Sequence, residues 1–181
     1  GRAFDIGCAI GRSSFELARG FDEVIGVDFS ARFIQEDQAL KENGALRYVM
    51  PTEGDLENFY EVNLSDFDLE EEREKVTFWQ SDACNLKPIF KNFDLIFAGN
   101  LIDRLYDPKK FLDSLASRLN DGGLFIMTSP YTWQEESTPK EKWIGGYKRD
   151  GENVSTLQGL EEILGRDFKL IDRRDVPFVI Q

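Results

Sequence analysis

Seven residues near the start of the chain carry the densest chemistry, Asp5-Ile6-Gly7-Cys8-Ala9-Ile10-Gly11. Small residues at 7, 9 and 11 let a backbone bend sharply and lie close against a ligand. A second acid, Asp28, follows 23 positions after Asp5, at the end of another apolar stretch and beside Phe29. A carboxylate at that separation is placed to accept the two hydrogen bonds of a ribose diol. The spacing therefore implies a nucleoside ligand. A dinucleotide fingerprint needs a third small residue at position 12, where this chain has Arg12. A pyrophosphate would also meet Asp5 unfavourably, whereas a cationic ligand suits an acidic, glycine-lined turn.

The elements that must position these residues follow from periodicity. Arg2–Ile6 reads as a buried strand, Arg12–Arg19 as a short helix and Glu23–Asp28 as a second buried strand. Ser30 caps a helix that carries Phe33, Ile34 and Leu40 and stops near Gly44. Lys75–Gln80 and Phe93–Gly99 read as the third and fourth strands. Asp107-Pro108 opens a helix, with a capping side chain followed by proline in the first turn. Asp121-Gly122-Gly123 reads as the turn into a fifth strand, Leu124–Ser129, and Phe168–Arg173 as a sixth. Ser155 and Gln158 form a capping box before Leu160, Ile163 and Leu164. Strands alternating with helices predict an α/β, Rossmann-like, doubly wound and mostly parallel sheet over residues 1–181 as one domain. Two stretches exceed ordinary connections, Leu46–Glu74 and Pro130–Val154. Both are rich in aromatic residues, which argues for pocket-forming insertions rather than disorder.

The D-x-G-x-A-x-G run resembles the first motif of class I S-adenosylmethionine-dependent methyltransferases. Ser81-Asp82-Ala83 and Phe93-Asp94-Leu95-Ile96-Phe97-Ala98-Gly99-Asn100 resemble that family's later strand-end motifs, in order. The resemblance implies S-adenosylmethionine as cofactor, held by Asp5, Gly7, Cys8, Ala9, Gly11, Asp28, Phe29, Asp82, Ala83 and Asn100. In it Asp82 meets the adenine amine and Asn100 lies near the transfer centre. A narrower resemblance rests on Gly11-Arg-Ser-Ser-Phe-Glu-Leu-Ala, Asn100-Leu-Ile-Asp-Arg-Leu, Ser129-Pro-Tyr-Thr-Trp and Asp175-Val-Pro-Phe-Val-Ile. These stretches are similar to the 4-mercaptohistidine (5-thiohistidine) N-methyltransferases of ovothiol biosynthesis. That family stands alone or fused behind an iron-dependent sulfoxide synthase. The resemblance implies methylation of an imidazole nitrogen of a thiolated histidine, and it implies chain beyond both ends of this sequence.

Such a transfer asks for alignment of nitrogen, methyl and sulfur and exclusion of water, not for a histidine base. Asn100, Asp103 and Tyr131 are the catalytic candidates, because all follow strand ends beside the cofactor. Tyr131, Trp133 and Trp143 are the substrate candidates, as flat surfaces for an imidazole. Their bland alternatives are an ion pair of Asp103 with Arg104 or Lys109 and plain packing of the tryptophans. Glu135, Glu136 and Arg12 read as surface charges before they read as substrate contacts.

The totals narrow the partners. Counting 22 basic against 34 acidic residues leaves a net charge of −12, which repels phosphate backbones. A small-molecule substrate fits better than nucleic acid. No apolar run spans a bilayer, and the reading is cytoplasmic, with Cys8 and Cys84 as reduced thiols. Histidine is absent, which excludes a histidine triad, and no metal site is expected. Two other readings stand beside the first: an O- or S-methyltransferase of another small molecule, and a cofactor-binding domain without catalysis.

Overall fold

The computed structural model describes residues 1–178, so the last residues of the Asp175–Ile180 stretch lie outside the described residues. In chain order the elements are β1 (Arg2–Ile6), α1 (Arg12–Leu17), β2 (Glu23–Asp28), α2 (Ala31–Asn43), β3 (Ala45–Glu53) and β4 (Leu56–Asn63). They continue with β5 (Val76–Gln80), β6 (Phe93–Gly99), α3 (Pro108–Asp113), β7 (Leu119–Thr128), β8 (Tyr147–Arg149), β9 (Glu152–Val154) and α4 (Thr156–Leu164). Five strands form one sheet in the order β5-β2-β1-β6-β7, and every pairing in it is parallel. The chain moves outward from β1 to one side and then returns to fill the other. The crevice between β1 and β6 is therefore the topological switch point, where open sheets of this kind bind ligands.

Alternation sorts the strand side chains to two layers. Phe4 and Ile6 of β1 pack with Ile25, Val27, Ile96, Phe111 and Leu160, while Ala3 packs with Phe15, Val24, Leu40, Val76 and Phe78. Phe4 stacks on Phe93 with ring centroids 4.6 Å apart, both rings fully buried. Burial of a Phe on this scale stabilises by about 1.5–3 kcal/mol.

The caps read from sequence are in place. Ser30 accepts from the Phe33 N–H, Asp107 from Lys110, and Ser155 and Gln158 complete a reciprocal box. Gly44 closes α2 in the left-handed region at φ +70°.

Four expectations change. The first helix ends at Leu17. The third main-sheet strand starts at Val76, because Glu72–Lys75 is a 3-10 turn. Asp121-Gly122-Gly123 lies inside β7 as an irregularity opposite Phe93–Leu95 rather than before it. Phe168–Arg173 forms no strand. Phe168 packs its ring 6.2 Å from Phe125, but Leu170 and Ile171 are exposed. Among the described residues nothing pairs with that segment, and a strand is defined by its partner.

The Leu46–Glu74 stretch is an antiparallel ribbon, β3 paired with β4, followed by 3-10 turns. A two-residue turn joins the strands, with Gly54 supplying the positive φ at its first position. Both ends of the ribbon are anchored at the edge of the sheet opposite the glycine turn. There Leu64 N–H donates to Gly44 O at 2.8 Å, and Lys41 at the end of α2 reaches Val76 O at 2.6 Å. Arg73 donates to the Lys41 and Glu42 carbonyls, which satisfies the exposed end of α2.

Candidate functional site

The glycine turn is tied to β2 by the Gly7 and Cys8 N–H groups, which both donate to Val27 O, at 2.8 and 3.0 Å. Gly7 and Gly11 hold φ of +77° and +74°. A Cβ on Gly7 would come within 2.9 Å of Leu101, and one on Gly11 within 2.8 Å of the Asp37 carboxylate. The turn therefore has no room beneath it for a side chain, and the open side of its backbone is the cradle that a ligand could approach.

Asp5 does not line that cradle as its sequence position suggests. It is fully buried below the turn, and its Oδ2 accepts from the hydroxyls of Ser13 and Ser14, both at 2.6 Å. It fixes the first turn of α1 to β1. Burial pushes its carboxyl up to about 6 against the opposing effect of the two hydroxyls. Asp37 of α2 lies beside it, also fully buried, and accepts from the Cys8 thiol at 3.7 Å. Burial, reinforced by Asp28, Asp5 and Glu36, pushes it up to about 8. The Cys8 and Cys84 thiols are both free and buried, and burial raises each above the ordinary thiol range.

Asp28 ends β2, half-buried, with one carboxylate oxygen on Ala9 N–H at 3.0 Å and the other on Ser30 N–H at 2.9 Å. It thus joins the glycine turn to the start of α2 and keeps free lone pairs toward solvent. Phe29 beside it is 75% exposed. A depression of about 260 Å³ opens there, lined by Phe29, Gln80, Ser81, Asp82, Asn85 and Lys87. Asp82 caps a 3-10 turn that starts at Ala83, accepting from Cys84 N–H at 2.8 Å, and its other oxygen accepts from the Tyr106 hydroxyl at 2.8 Å. An exposed ring, a carboxylate for the hydroxyls and a second carboxylate across a shallow hollow fit a nucleoside.

At the neighbouring strand ends two non-glycine residues hold left-handed backbones, Asn100 at φ +51° and Tyr131 at φ +53°; Ala9 in the turn, at +50°, is a third. Each such residue costs roughly 1–2 kcal/mol and persists only where its surroundings impose it. Asn100 is locked to the end of β7. Its N–H donates to Thr128 O at 2.8 Å, and its side-chain oxygen accepts from the Thr128 hydroxyl at 3.1 Å. That orientation leaves the Asn100 amide NH₂ as a donor with no protein acceptor among the described residues. Tyr131 is 42% exposed, and partial burial of its phenol raises its ionisation above the ordinary range.

Asp103, a catalytic candidate on sequence, takes a different place. It is fully buried and accepts from Ser129 Oγ at 3.2 Å, Thr132 N–H at 3.0 Å and Thr132 Oγ1 at 2.8 Å. Its oxygens are committed to the loop after β7, so it positions Tyr131 rather than touching a ligand. Arg104 helps by donating to Thr132 O and to Gln134. Trp133 and Trp143, the substrate candidates, are both half-buried. Their rings stack 6.1 Å apart at 24°, and their N–H groups donate inward, to Thr156 Oγ1 and Thr138 O. Trp133 also packs against the buried cluster that holds Phe4, Ile96 and Leu160. Arg12 pairs with Glu16 at the surface and lies over the Phe67 ring, and Glu135 is an exposed, loose partner of Lys140.

Sequence reading missed Asp37, Tyr106, Thr128 and the Ser13–Ser14 pair. Only Asp37 left a signal, as an acid at helical spacing between Ile34 and Leu40 on an apolar face. Among the described residues no group of His, Cys, Asp or Glu is disposed to hold a metal, and no helix is long and apolar enough to cross a membrane.

A family model described as a methyltransferase domain matches residues 1–162. The chain belongs to that methyltransferase family. Methyltransferase domains with this Rossmann-like sheet use S-adenosylmethionine as methyl donor, and the turn, Asp28 and the hollow at Asp82 fit it. Among solved structures, the YcgJ protein of Bacillus subtilis is similar at 22% identity and a TM-score of 0.50, over 71% of this chain and 43% of that one. The glycopeptide N-methyltransferase MtfA, solved in complex with S-adenosyl-L-methionine, is similar at 17% identity and a TM-score of 0.50, over 70% of this chain and 46% of that one. This methyltransferase domain thus spans less than half the length of either structure. No curated protein matches it.

Proposed function

We propose that the chain is an S-adenosylmethionine-dependent N-methyltransferase whose acceptor is an imidazole nitrogen of a thiolated histidine. The observation that carries this reading is the meeting of two stretches that bear the narrower resemblance. Asn100–Leu105 and Ser129–Trp133 lie far apart in sequence, yet Asp103 joins them through Ser129 and Thr132. That junction presents Asn100 and Tyr131 at adjacent strand ends beside the glycine turn. The bound cofactor supplies an electrophilic methyl group on a cationic sulfur. The chain supplies alignment. Tyr131 offers a flat, half-exposed ring for an aromatic acceptor, and the Asn100 amide NH₂ offers a donor to the sulfur substituent, which leaves the lone pair of the attacking ring nitrogen free. A neutral imidazole nitrogen carries its own lone pair, so no strong base is required, and the product proton leaves to solvent. A cytoplasmic setting and a supplying sulfoxide synthase belong to the same reading.

The test is to incubate the protein with labelled S-adenosylmethionine and 5-thiohistidine, with histidine in parallel, and to locate the label by NMR. A methyl on ring nitrogen from thiohistidine supports the reading. Label on sulfur or on an added oxygen acceptor moves it to another methyltransferase class. Cofactor binding with no acceptor methylated would leave a non-catalytic binding domain.

A further inference from the structure

Tyr106 lies seven residues beyond the end of β6, outside every motif that the cofactor reading uses. Its position is nonetheless closely fixed. Leu105 before it is buried and its carbonyl accepts from Thr138 Oγ1 at 2.6 Å. Asp107 after it caps α3 and pairs with Lys142 at 2.8 Å. Between these anchors the phenol hydroxyl donates to Asp82 Oδ2 at 2.8 Å. Asp82 is thereby held at both oxygens, because Cys84 N–H takes Oδ1 at 2.8 Å. The carboxylate faces the hollow that it lines with Phe29 and Asn85.

We propose that Tyr106 is a positioning residue that sets base specificity: it fixes the Asp82 carboxylate so that the site accepts a purine carrying an exocyclic amine and rejects one carrying an oxo group. This rests on the reading that places the adenine at Asp82.

The chemistry is one of matched donors and acceptors. A carboxylate only accepts hydrogen bonds, and each of its oxygens has a second lone pair beyond the one already used. An exocyclic amine donates to it. An oxo group at the same carbon would set lone pairs against lone pairs with no hydrogen between them. Discrimination by a missing or mismatched hydrogen bond is large only when the protein group cannot turn away. The carboxylate of an unrestrained Asp rotates about χ2 at little cost, since that torsion is broad. Cys84 N–H pins one oxygen of Asp82, and the Tyr106 hydroxyl, by pinning the other, removes the freedom that remains. The phenol remains a donor well past neutrality, since the Asp82 hydrogen bond is the main effect pushing its ionisation up to about 12.

The experiment compares binding of S-adenosylhomocysteine with its deaminated analogue, S-inosylhomocysteine, by calorimetry. The native protein, Tyr106→Phe and Asp82→Ala are measured side by side. Phenylalanine keeps the ring and loses only the hydroxyl, and thermal melting confirms that both variants are folded. The expected result is that the preference of the native protein for the amino base falls by roughly tenfold in Tyr106→Phe, about the worth of one well-placed hydrogen bond. Asp82→Ala is expected to abolish the preference. An unchanged preference in Tyr106→Phe with a lost preference in Asp82→Ala would overturn the role of Tyr106 alone. An unchanged preference in Asp82→Ala would overturn the placement of the base, and the inference with it.

Discussion

At the scale of single residues, the site is built on acids that do not touch its surface. Asp5 and Asp37 are both fully buried under the glycine turn, and each has one carboxylate oxygen with no hydrogen-bond partner among the described residues. The charged form of such a group is expensive in a folded chain. Their folded-state values, about 6 and about 8, lie above the ~3.9 of an unfolded aspartate. The folded chain therefore holds protons that the unfolded chain has released across that interval. The sign follows from linkage. Stability is full below about pH 4 for these two groups and falls as pH rises through 6 and then 8. Paired surface acids such as Asp94, Asp107 and Asp113 act in the opposite sense and in another window, because their partners hold them below the ordinary range. Asp37→Asn keeps the shape and removes the titration. The ligand-free variant is expected to melt at a nearly constant temperature from pH 6 to 8.5, where the native protein loses several degrees. Parallel melting curves over that range would mean that Asp37 is ionised throughout.

At the scale of elements, the parts legible in the sequence were those whose signals are local. Ser30, Asp107 and the Ser155–Gln158 box each announce a helix start through one side chain and one turn of backbone, and each is realised. The ribbon β3–β4 was legible in principle, since Leu46, Tyr48 and Met50 alternate opposite Val62, Tyr60 and Asn58 across a Gly54-Asp55 turn. Its acidic composition hid the pattern. Asp103 shows the limit most clearly. Its sequence neighbourhood, after a strand end and before Arg104, suits a catalytic acid, and only the fold reveals that Ser129 and Thr132 arrive to claim it. The partners of the Trp133 and Trp143 N–H groups, Thr156 Oγ1 and Thr138 O, are likewise set by the fold and not by local sequence. The loop after β7 should therefore behave as one unit held by Asp103. Asp103→Ala leaves the Thr132 N–H without its acceptor, at a cost of about 1–3 kcal/mol. The expected outcome is faster hydrogen exchange across residues 129–134 and a large loss of methyl transfer, with cofactor affinity within about twofold of native. Loss of transfer without faster exchange would restore Asp103 as a group acting on the substrate directly.

At the scale of the whole molecule, the sheet separates its two unusual segments to opposite edges. The Pro130–Val154 loop leaves β7 at the edge that carries the glycine turn, Asp28 and Asp82. The β3–β4 ribbon is rooted at the other edge, beside the end of α2 and the start of β5. Length and aromatic content mark both segments as candidate pocket-forming insertions, but they do not say which edge a segment leaves from; connectivity does. Only the base of the ribbon joins the core. Leu46 and Val62 pack against the buried cluster, whereas Tyr48, Met50, Leu56, Phe59 and Tyr60 are exposed. Two-stranded ribbons are marginal on their own, so its outer part adds little to the stability of the sheet. Replacing residues 47–61 by a short Gly-Asn turn, with Leu46 and Val62 kept, shortens the connection and changes the closure cost only slightly. The shortened protein is expected to melt within a few degrees of the native one and to bind S-adenosylhomocysteine with affinity within about twofold, both by calorimetry. Its rate of methyl transfer to thiohistidine is expected to stay within the same factor, because the proposed acceptor site, between Asn100 and Tyr131, is on the far edge. Normal cofactor affinity combined with a collapsed transfer rate would show instead that the ribbon reaches round the sheet to cover the acceptor.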